Sequence, residues 1–258
     1  MPLRQPFLPN AWRRHQWTVA QQAAVPAEHP EGRLVFVVGC PRSGTTYLWR
    51  LLHAHPGVEA IRPKDFGAAQ NIKADPERVC SEIETGAFLR YDQDTIQRVV
   101  EAKRAECPDK LLIEKTPTHC LLLDPLFHTF PKARVLWIWR DPIATLVSYV
   151  KNLLGLMYLN GSTDGEVWRA GAQLIARCQR EWKRHSQDRR VQRVDYEILC
   201  DEPARELRSI LNFAGLEVAE AAGMVAAHPP HNANEETLAS LNRKEERLKN
   251  EHAEGLVA

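Results

Sequence analysis

The sequence predicts an α/β fold: a central, mainly parallel sheet flanked by helices in three layers. Three patterns carry that reading. Four short β-branched or aromatic runs, each followed by turn or helix-start residues, read as buried strands. The segments between them have helical patterns long enough to be crossover connections, which implies a sheet covered on both faces. The first run opens into a loop with two glycines ahead of a helical segment, which makes the fold P-loop-type.

Residues 1–30 mix Pro, Gln, Arg and Trp without a continuous apolar stretch. They are expected to form an arm on the domain or on a partner subunit, not a signal peptide or a membrane span. Strand one is "LVFVV" (34–38), and a helix over 45–54 follows its loop. A helix over about 95–106 leads to strand two, "LLIE" (111–114), and one over about 120–130 to strand three, "RVLWIW" (134–139). Helices over 143–159 and 166–186 precede strand four, "VQRVDYE" (191–197), and a helix over 203–214 follows it. The charged run "NEETLASLNRKEERLKNE" (234–251), capped by Asn234, predicts a C-terminal helical segment within 234–258. With no Gly/Ser-rich linker and no repeat, the 258 residues are expected to form one domain.

Apolar residues are 44% of the chain, enough for a core, and 34 basic residues nearly cancel 33 acidic ones. A formal charge of +1 argues against a bulk electrostatic grip on nucleic acid or membrane, while permitting a local basic pocket. The six cysteines, Cys40, Cys80, Cys107, Cys120, Cys178 and Cys200, have neither C-x-x-C nor metal-ligand spacing. They read as reduced thiols, mostly core fillers, in keeping with the cytoplasmic protein that the N-terminal composition suggests.

In sheets of this kind the ligand lies outside the carboxyl ends of the strands. After strand one comes "GCPRSGTT" (39–46), where Gly39 and Gly44 have the G-x-x-x-x-G spacing of a phosphate loop. Unpaired amides and the dipole at the helix start favour an anion there. Ser43, Thr45 and Thr46 add hydroxyl donors, and Arg42 adds a permanently charged fork. Thr45 occupies the place of the usual lysine, so the loop is an anion cradle but a poor magnesium-nucleotide site. Strand two ends in Lys115 and strand three in Arg140, while Ser148 lies eight positions on, about two turns into the next helix. Arg42, Lys115 and Arg140 at three strand ends imply a ligand with several negative charges.

At this point the chain resembles the PAPS-dependent sulfotransferases, which move a sulfuryl group from 3′-phosphoadenosine 5′-phosphosulfate (PAPS) to an acceptor hydroxyl and leave adenosine 3′,5′-bisphosphate (PAP). "GCPRSGTTYLWRLLHAHPGV" (39–58) resembles the family's 5′-phosphosulfate loop with its helix and "HP" turn. "EKTP" (114–117) is similar to the segment carrying a catalytic lysine in the tyrosylprotein and heparan-type branches. "FPKARVLWIWRDPIATLVS" (130–148) resembles the 3′-phosphate element, and "VDYEILCDEPARELRSILNFAGL" (194–216) the later strand and helix. The resemblance implies that Arg42, Ser43, Gly44, Thr45 and Thr46 hold the 5′-phosphosulfate, and Arg140 and Ser148 the 3′-phosphate. Tyr196 matches a position near the nucleotide, and Arg243 and Lys244 are the available candidates for a C-terminal basic segment.

Arg42 stands where cytosolic members acting on phenols and steroids carry lysine, so the resemblance leans toward the carbohydrate and peptide branches, as a short, bacterial-like member. Those branches place a glutamate base shortly after the "HP" turn. Here "PKDF" makes Asp65 the first choice and Glu59 the reserve, with His53, His55 and His119 weaker. In the implied mechanism Asp65 takes the acceptor proton, while Lys115 and Arg42 stabilise charge on the transferring group, without a metal. Two rivals stand beside it: a magnesium-dependent kinase or NTPase with Glu114 as the metal-side acid, disfavoured by Thr45, and a non-catalytic nucleotide-binding module. Segments 62–110 and 159–166 are expected to shape the acceptor side. A glycan, a peptide or a small metabolite all remain open as acceptor.

Overall fold

Strand β1 (Leu34–Gly39) is buried along its whole length. Its side chains alternate between two cores, Leu34, Phe36 and Val38 facing one and Val35 and Val37 the other. A continuous apolar run is what a strand covered on both faces requires. The computed structural model describes residues 33–62, 65, 93–157, 164–219 and 221–228. The expected N-terminal arm (1–30), the C-terminal segment (234–258) and Arg243 and Lys244 lie outside the described residues.

In chain order β1 is followed by helix α1 (Thr45–His53), strand β2 (Val58–Ile61), helix α2 (Gln93–Glu106) and strand β3 (Leu111–Glu114). A 3-10 turn (Pro117–Leu121) and helix α3 (Leu123–Thr129) lead to β4 (Arg134–Trp139), α4 (Pro142–Met157) and α5 (Asp164–His185). Then come β5 (Val191–Asp195), α6 (Tyr196–Asp201), α7 (Pro203–Ala214) and α8 (Ala221–Ala227). The five strands form one sheet in the order β2-β3-β1-β4-β5, and every pairing is parallel. Among the described residues no helix is long and apolar enough to cross a membrane.

Leu48, Leu51 and Leu52 of α1 pack with Leu207, Ile210 and Leu211 of α7 on one face of the sheet. Leu123 and Leu126 of α3, Ile96 of α2 and Leu174 of α5 cover the other. The helix after β1 and the helices after its neighbours β3 and β4 therefore lie on opposite faces. That reversal opens a crevice at the carboxyl ends of these strands, where open α/β sheets place their ligands.

Several elements differ from expectation. Strand β2 was not expected: "VEAI" is only four residues long and carries a glutamate, yet it forms the sheet edge beside β3. The fourth expected strand stops at Asp195, because Tyr196 turns into the one-and-a-half-turn helix α6. The helix expected over 120–130 is instead a 3-10 turn opened by Pro117 and then α3. Proline at the first helical positions fixes that break.

Candidate functional site

The loop from β1 to α1 is built around a tight turn in which the Ser43 N–H donates to the Cys40 carbonyl over 3.0 Å. Pro41 occupies the second position of that turn, and Arg42 the third with a φ of 75°. A type II turn demands positive φ at that third position, normally from glycine. A left-handed arginine costs about 1–2 kcal/mol, so neighbouring structure must hold it. Arg140, buried at the end of β4, does so by donating from Nη1 to the Arg42 carbonyl over 3.0 Å.

The exposed Arg42 side chain reaches across to α4, its Nε–H donating to Ser148 Oγ over 3.4 Å. Three residues expected at the anion site, Arg42, Arg140 and Ser148, are thus brought together. Burial, and then the like charge of Arg140, lower the pKa of Arg42. Two guanidinium groups crowded at one loop favour an anionic partner.

Gly44 begins α1 with a φ of 104°. Its missing side chain is required twice, since a Cβ would strain that backbone and overlap the Tyr196 ring. Tyr196, buried at the start of α6, lies beneath the guanidinium of Arg140, with 4.7 Å from Cζ to the ring centroid. Tyr196, expected near the nucleotide, backs both the loop at Gly44 and Arg140. Helix α1 has no side-chain cap and no acidic residue in its first turn, leaving its amide end to an anion. The Ser43 hydroxyl is fully buried without a hydrogen-bond partner among the described residues, beside a cavity of about 20 Å³ that Arg140 also lines. A phosphate or sulfate oxygen would satisfy these donors, and that chemistry suits a phosphosulfate. Thr45 is buried, whereas Thr46 faces solvent.

Lys115 follows β3 and is partly buried, and that burial lowers its pKa against the opposing influence of Glu114. Glu114 is committed elsewhere: Oε1 accepts from the Thr116 hydroxyl (2.6 Å) and Oε2 from His119 Nδ1 (3.0 Å). It anchors the turn that carries Lys115. A metal-side acid would need those oxygens, so this engagement weakens the kinase-like reading.

Asp65 closes a local turn, its Oδ2 accepting the Arg62 N–H at 2.7 Å. Glu59, on β2, lies 3.7 Å from Lys103 of α2, whose pKa is raised by Glu106 first and by Asp65 and Glu59 in turn. Glu59 therefore pairs with Lys103, whose ammonium also feels the charge of Asp65. The histidines are engaged structurally. His55 accepts the Gly57 N–H at Nδ1 (2.9 Å) and sits 3.1 Å from the Glu217 carbonyl through Nε2. His53 Nε2 is held 3.1 Å from Arg62 Nη2, and buried His119 is held by Glu114.

Sequence reasoning missed two features. Glu197 of α6 accepts the Asp141 N–H at 3.0 Å, tying the segment after Tyr196 to the one after Arg140; nothing in the local pattern of "DYEIL" signals it. Cys120 and Cys178, far apart in sequence, bring their sulfurs to 3.5 Å, and Cys120 donates to the Gly39 carbonyl, while Cys40 lines one small cavity with Cys178.

The model of the sulfotransferase family matches residues 35–220. The chain belongs to that family. Among its relatives, this sulfotransferase-family chain is 27% identical to the nodulation protein NoeE of Sinorhizobium fredii, over 72% of this chain and 51% of that protein. It is 25% identical to a protein-tyrosine sulfotransferase of Drosophila melanogaster, over 70% of this chain and 37% of that one. The chain thus spans about half or less of the length of these two relatives. Among solved structures, sulfotransferase STF9 from Mycobacterium avium superposes with a TM-score of 0.57 at 17% identity, over 79% of this chain and 72% of that one. The sulfotransferase domain of the Synechococcus PCC 7002 olefin synthase does so at 0.53 and 20% identity, over 73% and 74%. These likenesses show the shared α/β fold.

Proposed function

We propose that this chain transfers a sulfuryl group from PAPS to an acceptor hydroxyl and releases PAP. One observation carries the reading: the loop that lacks the triphosphate-tracking lysine instead joins Arg42, Arg140 and Ser148 over an uncapped helix start. Family membership supports the same chemistry. The loop residues Arg42, Ser43, Gly44, Thr45 and Thr46 hold the 5′ side of the donor, and Arg140 and Ser148 its 3′-phosphate.

Sulfuryl transfer demands in-line positioning and charge stabilisation rather than covalent work by the protein. Lys115 and Arg42 place positive charge beside the transferring group and the leaving oxygen. Asp65 takes the acceptor proton, with Glu59 in reserve, and no metal takes part. The chain works as one domain in the cytoplasm, and its acceptor is a glycan, a peptide or a small metabolite. The printed name of one relative, a protein-tyrosine sulfotransferase, supports testing tyrosine peptides first.

The test is PAP release from PAPS with chelator present, across phenols, oligosaccharides and tyrosine peptides. Acceptor-dependent release is expected. Absence of release with every acceptor, together with magnesium-dependent ATP turnover, contradicts the proposal. Asp65→Asn and Glu59→Gln then separate the bases: the first is expected to abolish turnover and the second to spare it.

A further inference from the structure

Helix α4 carries two hydroxyls beside the phosphate loop. Ser148 meets the Arg42 side chain, and Thr145, one turn earlier, lines the small cavity behind the loop that Ser43 and Arg140 also line. Thr145 is 2% exposed and Ser43 is 1% exposed, and neither hydroxyl has a hydrogen-bond partner among the described residues. Leaving such a group buried and unpaired is costly, so native interiors almost always supply a partner.

Two local solutions are not used. A threonine inside a helix commonly bonds back to the carbonyl four residues earlier. Here the Asp141 carbonyl accepts the Thr145 N–H at 2.9 Å, while the Thr145 hydroxyl makes no such bond. The Ser43 hydroxyl lies under the loop, 2.8 Å from where a Cβ on Gly39 would stand. Glycine at that position leaves the hydroxyl its place. Two buried hydroxyls from different elements therefore border one space without bonding each other.

That space has the size and chemistry of a water site. Its volume is about 20 Å³, against the roughly 10–15 Å³ that one water requires, and a buried water makes about two to four hydrogen bonds. Ser43, Thr145 and Arg140 supply polar partners, beside the apolar Trp137, Ile138 and Ile175.

We propose that this cavity holds one buried water bridging the Ser43 and Thr145 hydroxyls, which makes Thr145 a positioning residue for the phosphate loop. A hydroxyl donates one proton and accepts up to two hydrogen bonds. Thr145 donates to the water, and the water donates to Ser43 Oγ. The Ser43 proton is then left to point at a ligand oxygen. The bridge ties α4 to the loop a second time, beside the 3.4 Å contact of Arg42 with Ser148. Its effect on PAP rests on the proposed function, whereas the water itself does not.

The test joins diffraction from crystals of the full chain, at a resolution that shows ordered waters, to calorimetric titration of PAP into the wild type, Thr145→Ser and Thr145→Val. One oxygen-sized peak within about 2.5–3.0 Å of both hydroxyls is expected, kept in Thr145→Ser and lost in Thr145→Val. PAP affinity should fall roughly 3–10-fold in Thr145→Val, the worth of one net hydrogen bond, and stay within about twofold of wild type in Thr145→Ser. In a Ser43→Ala background, Thr145→Val should add no further loss. A dry cavity, or hydroxyls bonded to each other or to the main chain, overturns the water. A chloride in its place, marked by anomalous scattering, overturns it equally. Unchanged PAP affinity once the water is lost overturns the positioning role, as does Thr145→Ser behaving like Thr145→Val. Failure of the wild type to bind PAP contradicts the functional reading, while the density map decides the water by itself.

Discussion

Arg140 donates a hydrogen bond from Nη1 to the main-chain carbonyl of Arg42 over 3.0 Å, joining the end of β4 to the loop after β1. The bond places one cation behind the other and holds a left-handed arginine that the turn alone would not favour. The same guanidinium lies over Tyr196. Arg140 thus braces the loop, beside the ligand-binding role proposed for it.

Replacing it separates those roles. Arg140→Ala removes a charged donor, worth about 1.5–3 kcal/mol, and PAP affinity should fall by roughly 10–100-fold in calorimetric titration. Arg140→Lys should recover little, because an ammonium on a flexible stem cannot reproduce the planar fork that bonds the carbonyl and stacks on the ring. Full recovery by lysine would show that charge alone matters there.

At Gly44 any side chain meets Tyr196 and a φ of 104°. Gly44→Ala should cost about 2–4 kcal/mol from backbone strain and overpacking. For a chain of this size that lowers Tm by roughly 5–15 °C in a thermal melt. Adding Tyr196→Ala removes the clashing ring but leaves the backbone strain, so only part of the loss should return.

Lys115 tests the chemical step. Its alanine variant should lose about 10²–10³-fold in turnover, as when one transition-state charge partner is removed, while PAP affinity changes little. Burial lowers the Lys115 pKa and Glu114 opposes that fall. Turnover should therefore decline on the alkaline side at a pH below the ordinary lysine range. Glu114→Gln removes the opposing charge, and the alkaline limb of the pH–rate profile should move lower still.

Glu206 in the first turn of α7 has its pKa pushed up to about 7, by burial first and by Asp195 next, against the pull of Arg205. A carboxyl raised in the folded state favours folding below its unfolded pKa, and that contribution is lost as pH rises through the folded value. Stability should therefore decline between about pH 4.5 and 7 through this group. Glu206→Gln should flatten that decline, by on the order of 1–2 kcal/mol in denaturant melts across the window.

The sheet was legible because its central strands are continuous apolar runs: β3 and β4 lie where "LLIE" and "RVLWIW" predict them. Strand β2 was not, because pairing with β3, rather than its own four residues, makes it a strand. Arg42, Arg140 and Ser148 were legible from their places after strands and along one helix, and the fold joins them. The brace role of Arg140 and the packing of Tyr196 on Gly44 were not, since both depend on contacts between segments far apart in sequence. The contact between Cys120 and Cys178 escaped for the same reason.

The most direct test of the central claim is a thermal-shift comparison of PAP with ADP and ATP, each with and without magnesium. A loop of this construction should be stabilised by PAP without magnesium, and ADP or ATP should add much less because they lack the 3′-phosphate that Arg140 and Ser148 would hold. Stabilisation by magnesium nucleotides alone, with none by PAP, would contradict it.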